Sequence, residues 1–326
     1  MKCFVTGGTG FIGNRLVESL SDKGYEVNVL ARRKNDFENK FQKVKVFEGD
    51  LFNMEILDQA IAGCDFIFHM AAYANLWSKD KTLAYRTNFI GTQNILELAL
   101  KHKIKKVVFT SSAATLPPAE ESELVDESFP VPKEYLTEYE ITKKQAEQLC
   151  VEYSKKGLHI VIVNPSRVYG PGFLNKSNSV TILIQKYIKG KWRIIPGDGS
   201  QIGNYVYIDD VVSGHINALE KGRSGERYIL GGTNVTYNEL FGLLAKVAGK
   251  KYKMFHLPMS IMMIVAKVEL FMAESFGKKP LITPPWIKRY QQNRPLSVEK
   301  AKKEIEYSDT PLETGIEKTI SWLKAT

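Results

Sequence analysis

The sequence predicts an α/β fold, a doubly wound parallel sheet with helices on both faces and a smaller C-terminal lobe. Three observations predict it. Apolar runs of strand length alternate with helix-period segments through the first half of the chain, the order that gives parallel strands joined by right-handed crossovers. The first strand runs into TGGTGFIG, residues 6–13, and a helix pattern follows at once. Small or polar residues recur where the later strands end, which is the edge where such sheets bind ligands.

Residues 3–5 form the first strand and 11–20 the first helix. Gly7, Gly10 and Gly13 lie between and at the start of them. Glycine lets the backbone turn tightly and approach phosphates, and the free N–H groups of a helix start face the anion. Gly8, Gly10 and Gly13 also satisfy G-x-G-x-x-G, and the strand-to-helix context gives that motif its weight. The second strand covers 26–30, and Ala31, Arg32, Arg33 and Lys34 follow. An acidic residue here would hold the ribose hydroxyl of NAD. Arginines suit the 2′-phosphate, so NADP is the expected cofactor and NAD the alternative.

A third strand at 44–47 closes on Gly49, Asp50 and Leu51. A fourth at 66–69 is followed by Met70, Ala71 and Ala72, small enough for a cofactor to approach. A helix over 88–100 leads to a fifth strand, 106–110, that ends in Ser111 and Ser112. Residues 116–133, rich in proline and acid, form a loop. The helix over 139–155 carries Tyr139 and Lys143 one turn apart on one face. Tyr187 and Lys191 repeat the spacing, but no serine-bearing strand precedes them and Gly190 interrupts their helix.

These motifs, with Asn88-x-x-Gly91-Thr92, the NPSRVYGP run over 164–171, PGDG over 196–199 and Tyr207-x-Asp-Asp, resemble the extended short-chain dehydrogenase/reductases of the NAD-dependent epimerase/dehydratase superfamily. Thr110–Ala113, Asn164–Arg167 and Val29–Arg32 are most similar to the dihydroflavonol reductase-like and 3β-hydroxysteroid dehydrogenase-like branch. The resemblance implies Tyr139 as acid/base, Lys143 as the anchor of the nicotinamide ribose and Ser112 as donor to the reacting oxygen. It also implies a Rossmann-type cofactor site made by Gly7, Gly10, Phe11, Ile12, Gly13, Arg32, Arg33, Asp50, Leu51, Ala71, Ala72, Asn88, Pro165 and Val168, together with Tyr139 and Lys143. Ser111 remains the alternative donor, since neighbours on an extended strand point to opposite sides. A tyrosine with a pKa of about 10 needs an ammonium nearby to act as a base near neutrality. Nucleotide-sugar enzymes place an arginine shortly before the aromatic-x-x-Asp-Asp strand, and here Gly203 stands there.

Past residue 170 the alternation loosens. Helices are expected over 179–189 and from the Thr236-x-x-Glu239 capping box to 247, and strands at 194–196 and 228–230. Residues 1–170 are therefore read as the NAD(P)-binding Rossmann domain. Residues 171–326 are read mainly as a substrate lobe, some of whose segments return to the sheet. The stretch 259–276 is rich in methionine and isoleucine but broken by Lys267, Glu269 and Glu274, too short an apolar run to span a bilayer. Packing of a wide apolar face on the lobe is the favoured reading. A pocket wall for a greasy substrate is the second, and docking on a membrane or a second subunit, as in a homodimer, the third.

The chain has 326 residues, 44% of them hydrophobic, and a formal charge of +9. Its lysines are interspersed with acids and few aromatics, so a solvated surface is expected rather than a nucleic-acid partner. Cys3, Cys64 and Cys150 are scattered, and the five histidines show no ligand spacing, so no metal is expected. Reduced cysteines and a strand at the start read as a cytoplasmic protein without a signal peptide. The expected function is reduction of a ketone or aldehyde, or oxidation of the matching alcohol, of an apolar or ring-containing small molecule. The alternative is a sugar or nucleotide-sugar epimerase or dehydratase. A non-catalytic cofactor-sensing module is the third reading.

Overall fold

The computed structural model describes residues 1–33, 43–75, 77–120, 123–132 and 134–326; Lys34 and Lys133 of the sequence reading lie outside them. In the first half, β1 (Lys2–Thr6), α1 (Phe11–Asp22), β2 (Glu26–Ala31), β3 (Val44–Glu48), α2 (Met54–Ile61) and β4 (Phe66–His69) succeed one another. A short α3 (Leu83–Tyr85) passes through a π-helical turn, Arg86–Ile90, into α4 (Gly91–Lys101). Then come β5 (Lys106–Thr110), α5 (Glu138–Lys155) and β6 (Ile160–Pro165). The second half contributes β7 (Arg167–Tyr169), α6 (Ser179–Ile188), β8 (Ile194–Pro196), β9 (Ile202–Tyr207), α7 (Ile208–Lys221), β10 (Arg227–Leu230), β11 (Thr233–Thr236) and α8 (Tyr237–Ala248). It ends in β12 (Phe255–Leu257), α9 (Met259–Phe276), α10 (Pro284–Tyr290), α11 (Glu299–Ile305) and α12 (Leu312–Ala325).

Seven strands make one parallel sheet in the order β10-β6-β5-β4-β1-β2-β3. Apart from the half-exposed edge strand β3, its strands are buried on both faces, which explains why they read as continuous apolar runs. Alternate side chains divide between two cores. Cys3 and Val5, Phe68, Val108, and Val161 and Val163 face one, and Phe4, Ile67, Val107 and Phe109, and Ile160 and Ile162 face the other. The chain order reverses between β1 and β4, and the crevice at that switch point is where a doubly wound sheet receives its ligand. The strand at β10 does return from the second half to the edge of this sheet, beside β6.

Two predicted helix starts are built as capping boxes. Thr137 and Glu140 open α5, and Thr236 and Glu239 open α8, each threonine hydroxyl accepting a backbone N–H while the glutamate accepts the threonine N–H. The cysteines are buried free thiols, pushed up by desolvation to about 12 for Cys3 and about 11 for Cys64. The 116–133 loop is tied to the segment after α10: Ala119 N donates to Asn293 O, and Val125 pairs with Leu296.

The favoured reading of the methionine-rich stretch is corrected. Helix α9 has the bounds expected, yet only Ala266 and Ala273 are buried. Ile264, Val268 and Phe271 are 62%, 57% and 64% exposed. The two alanines lie seven residues apart on one stripe, so α9 meets the body of the lobe through small side chains. Met259, Met262, Met263 and Leu270 flank that stripe half-buried, and the other large apolar side chains are left on the opposite, exposed arc. Among the described residues no helix is long and apolar enough to cross a membrane.

Candidate active site

The glycine turn is shaped by clearance as well as by conformation. Gly7 has φ +72°, and a Cβ there would lie 2.6 Å from Ala71 N, so the turn presses against the end of β4. A Cβ on Gly13 would meet Gly7 O at 2.2 Å, so α1 closes onto the loop only with glycine at that position. Gly10 caps α1 without a side-chain bond, and the following N–H groups of Phe11 and Ile12 open the helix. This is the geometry that holds a pyrophosphate.

Around the turn runs a relay of neutral side chains. Thr92 Oγ1 donates to Asn88 O at 2.6 Å, so it accepts from His69 Nε2 at 2.9 Å. His69 Nδ1 then accepts from Thr6 Oγ1 at 2.6 Å, and Thr6 Oγ1 accepts from Ala71 N. Burial pushes His69 down to about 3, with Lys143 adding to the shift, so the ring stays neutral. Thr6 and His69 thereby lock the ends of β1 and β4 that flank the glycine turn.

Ser112, Tyr139 and Lys143 converge at the ends of β5 and α5. The Ser112 side chain lies beside the Tyr139 phenol and favours its ionised form, while Ser111 Oγ is turned away and donates to Glu147 at 2.6 Å. Alternation along the strand end thus turns Ser112 toward Tyr139 and Ser111 toward Glu147. Lys143 is 1% exposed, donates to Thr110 O at 2.7 Å and lies 4.1 Å from the Phe109 ring centroid. Desolvation pulls its ammonium down to about 8. The expected lowering of Tyr139 by Lys143 is not what the phenol experiences. Burial raises it, and Ser112 and Arg289 pull it back. Tyr187, of the second tyrosine–lysine pair, is buried with its hydroxyl on Lys250 O, and Lys191 lies beyond the end of α6.

The other expected cofactor residues are spread around the same edge. Arg32 and Arg33 are exposed just past β2, and Asp50 is exposed past β3, with its carboxylate on Phe52 N. Leu51 is core, packed where Gly91 leaves room. Ala71 and Ala72 follow β4, Pro165 ends β6 and Val168 lies in β7. Asn88 is fully buried. Its Oδ1 accepts from Tyr73 N, and its Nδ2 donates to Tyr73 O and Thr142 Oγ1. That arrangement binds the loop after β4 to the helix of Tyr139, and the π-helical turn is what aims Asn88 inward.

Sequence reasoning missed two groups. Glu147, 2% exposed, accepts from Ser111, Thr115 and Asn164 on one oxygen and faces Lys144 and Arg227 with the other. Asn164 also donates to Ser112 O, so this carboxylate fixes the strand end that presents Ser112. The second group is Arg167, whose Nη1 donates to Tyr205 Oη at 2.9 Å and Tyr237 Oη at 3.3 Å. A Cβ on Gly203 would lie 2.3 Å from that nitrogen. Gly203, where an arginine was missing from the sequence pattern, is the seat of an arginine delivered by a different strand. Two spacings in the sequence, Glu147 at two turns from Tyr139 and Arg167 two residues before Tyr169, carry no signal of either role.

Comparison with known proteins gives the family and the fold. The model of the NAD dependent epimerase/dehydratase family matches residues 3–231. A Synechocystis sp. protein provisionally assigned as a dihydroflavonol 4-reductase is 31% identical over 98% of this chain and 94% of its own. The sterol-4-alpha-carboxylate 3-dehydrogenase, decarboxylating, of Mus musculus is 34% identical over 67% of this chain and 59% of that protein. The structure of UDP-glucuronic acid 4-epimerase from Bacillus cereus in complex with NAD superposes with a TM-score of 0.79 at 25% identity, covering 100% of this chain and 99% of that one.

Proposed function

The chain belongs to the NAD-dependent epimerase/dehydratase family, and we propose that within it the protein is an NAD(P)-dependent oxidoreductase that interconverts a ring-borne alcohol and its ketone. The observation that carries the reading is the Ser112 side chain beside the Tyr139 phenol, one helical turn from Lys143 and at the sheet edge that holds the glycine turn. Tyr139 passes the proton to or from the reacting oxygen, and Ser112 donates to that oxygen as charge develops on it. Lys143 holds the nicotinamide ribose. The glycine turn with Phe11 and Ile12 holds the pyrophosphate, and the dinucleotide supplies or accepts hydride when bound. The names of the dihydroflavonol reductase and sterol dehydrogenase relatives support a ring-containing substrate. The test is a panel of cyclic ketones and alcohols read by nicotinamide absorbance. Turnover of nucleotide sugars alone, with no cyclic ketone reduced, would replace this reading by the epimerase one.

NADP is the proposed partner, because Arg32 and Arg33 follow β2 at the ribose end of the site. A charge-assisted contact to the 2′-phosphate amounts to about tenfold to a hundredfold in affinity. NADPH is therefore expected to bind more tightly than NADH by that factor, and Arg32→Ala to erase the difference while leaving NADH unchanged. Dissociation constants from nicotinamide fluorescence decide it, and a wild-type preference for NADH refutes the arginine reading.

The epimerase alternative is favoured by one observation, the Arg167 guanidinium over Gly203. An epimerase returns hydride to the same substrate and keeps its cofactor. Protein that purifies with stoichiometric, tightly bound NAD supports that alternative.

A further inference from the structure

We propose that Arg167 anchors an acidic group of the substrate, and that with Arg289 and Arg294 it forms a cationic wall beside Tyr139 that receives carboxylate or phosphate oxygens. The proposal deepens the reading of Tyr139 as the reacting group and rests on it. Arg167 pairs in register with Tyr205 across β7 and β9, and its guanidinium lies 5.3 Å from the Tyr205 ring and 5.6 Å from that of Tyr237. Both hydrogen-bond partners of Nη1 are neutral hydroxyls. Among the described residues no carboxylate pairs with Arg167, and Nε and Nη2 have no protein acceptor. Arg294 is equally without an acid, donating to Leu116 O and Gln292 Oε1. Only Arg289 has one, Glu140, the residue after Tyr139 in α5.

Three part-buried guanidiniums therefore share a single carboxylate. Burial, then the charges of Arg289 and Arg167, bring Arg294 down to about 9, and burial lowers Arg289 as well. Unpaired charge taken from water is destabilising, and a structural arginine would be given a carboxylate or a ring of carbonyls. An excess of cations beside a candidate acid/base is what a site for an anionic substrate looks like before the substrate arrives. Arg289 is close enough to Tyr139 to act on its phenol, so an acid on the cationic wall and a carbinol on Tyr139 belong to one small molecule. Trp286, Tyr290 and Tyr237 meet in a chain of tilted and edge-to-face contacts beside the cluster and offer aromatic surface for the body of that molecule.

The test measures binding to the NADH complex, independently of turnover. Two matched pairs are used: 2-hydroxycyclohexanecarboxylate against its methyl ester, and UDP against uridine. The wild-type complex is expected to prefer at least one acid over its neutral partner by about tenfold to a hundredfold. The carboxylate pair responding places a carboxylic acid on the wall, and the UDP pair a phosphate. Arg167→Met abolishes the preference and Arg167→Lys retains part of it. Gly203→Ala, which displaces the guanidinium and removes no charge, reduces it with NADH affinity intact. Absence of any acid preference in the wild type, or its persistence in Arg167→Met, overturns the proposal. Preference without turnover leaves the anchor standing and fails the oxidoreductase reading instead.

A separate observation, the exposed arc of α9, points to an anionic lipid surface as its occupant, and we infer that this helix is a peripheral membrane contact. Ile261, Ile264, Val265, Val268, Phe271 and Phe276 fall on one side at helical spacing, and each is exposed. Leu281, 84% exposed, follows them. Lys267, Lys278 and Lys279 are exposed on and just beyond the helix, against Glu274 as the exposed acid of α9. An apolar arc fringed by lysines complements acyl chains beneath negative headgroups. Flotation with vesicles of phosphatidylcholine alone, and of phosphatidylcholine with phosphatidylglycerol, is the experiment. Binding is expected to the mixed vesicles, and the Lys278→Gln/Lys279→Gln protein should bind about thirtyfold more weakly. Ile264→Ser/Phe271→Ser should abolish it while both exposed sites leave the fold intact by circular dichroism. No binding to mixed vesicles overturns the inference. So does a dimer in sedimentation equilibrium that the serine variant splits, which would give the face to a second copy of the chain.

Discussion

Tyr139→Phe is expected to lower turnover by about a hundredfold to ten-thousandfold while leaving cofactor affinity essentially unchanged. The substitution removes only the hydroxyl; the ring keeps its place between Ser112 and Arg289. In the oxidative direction the phenol must first lose its proton, and burial makes that harder, against the pull of Ser112 and Arg289. The oxidation rate of the wild type is accordingly expected to climb with pH into the alkaline range, as the phenolate becomes populated, and this limb is absent from the variant. In the reductive direction the protonated phenol is the reactant, so the rate holds at neutral pH and falls as pH rises through the raised value. Steady-state rates in both directions across pH check it. Activity within tenfold of wild type, with the alkaline limb retained, removes Tyr139 from the acid/base role.

The second large effect is expected at Glu147, which touches neither the proposed reacting atoms nor the cofactor turn. Glu147→Ala leaves the hydroxyls of Ser111 and Thr115 and the amide of Asn164 without their acceptor. It also leaves Lys144 and Arg227 without the carboxylate they face. Removing one partner of a buried charged cluster destabilises by about 3–5 kcal/mol. A drop of that size in the unfolding free energy, read from urea denaturation, is the expected result. Glu147→Gln, which keeps an acceptor for the three neutral donors, should lose less. Because Asn164 also donates to Ser112 O, residual activity of folded Glu147→Gln should fall further than its stability does. A loss below about 1 kcal/mol in Glu147→Ala would mean the cluster is not the support described.

Local chemistry was readable in advance because it is periodic. The strands that are buried on both faces appear as unbroken apolar runs, and the capping box at Thr236 needs only four consecutive residues. Gly7 and Gly13 announce a close backbone approach through the absence of a side chain. The different settings of Tyr139 and Tyr187 were legible as well, since a serine-bearing strand end precedes only the first, and the structure buries Tyr187 against Lys250 O. The bounds of α9 followed from its composition, but the side it buries did not. Hydrophobic content reports that a face exists, whereas the small residues Ala266 and Ala273 decide which side approaches the lobe.

By itself, then, the sequence determined the alternating strands and helices of the first half that it named, the glycine turn between β1 and α1, and a tyrosine–lysine pair one helical turn apart after a serine-bearing strand end, all of which depend on neighbours within a few residues. Tertiary structure alone decided that Ser112 and not Ser111 faces Tyr139, that Glu147 gathers donors from the turn after β5 and from β6, and that Arg167 crosses from β7 to fill the space above Gly203. Those outcomes depend on residues 17 to 52 positions apart brought together by the sheet, as in the bonds from Asn164 to Glu147 and to Ser112 O. Spacing along a chain encodes only the local period. Which distant side chain completes a hydrogen bond or a charge is fixed when the strands pair and water is excluded between them.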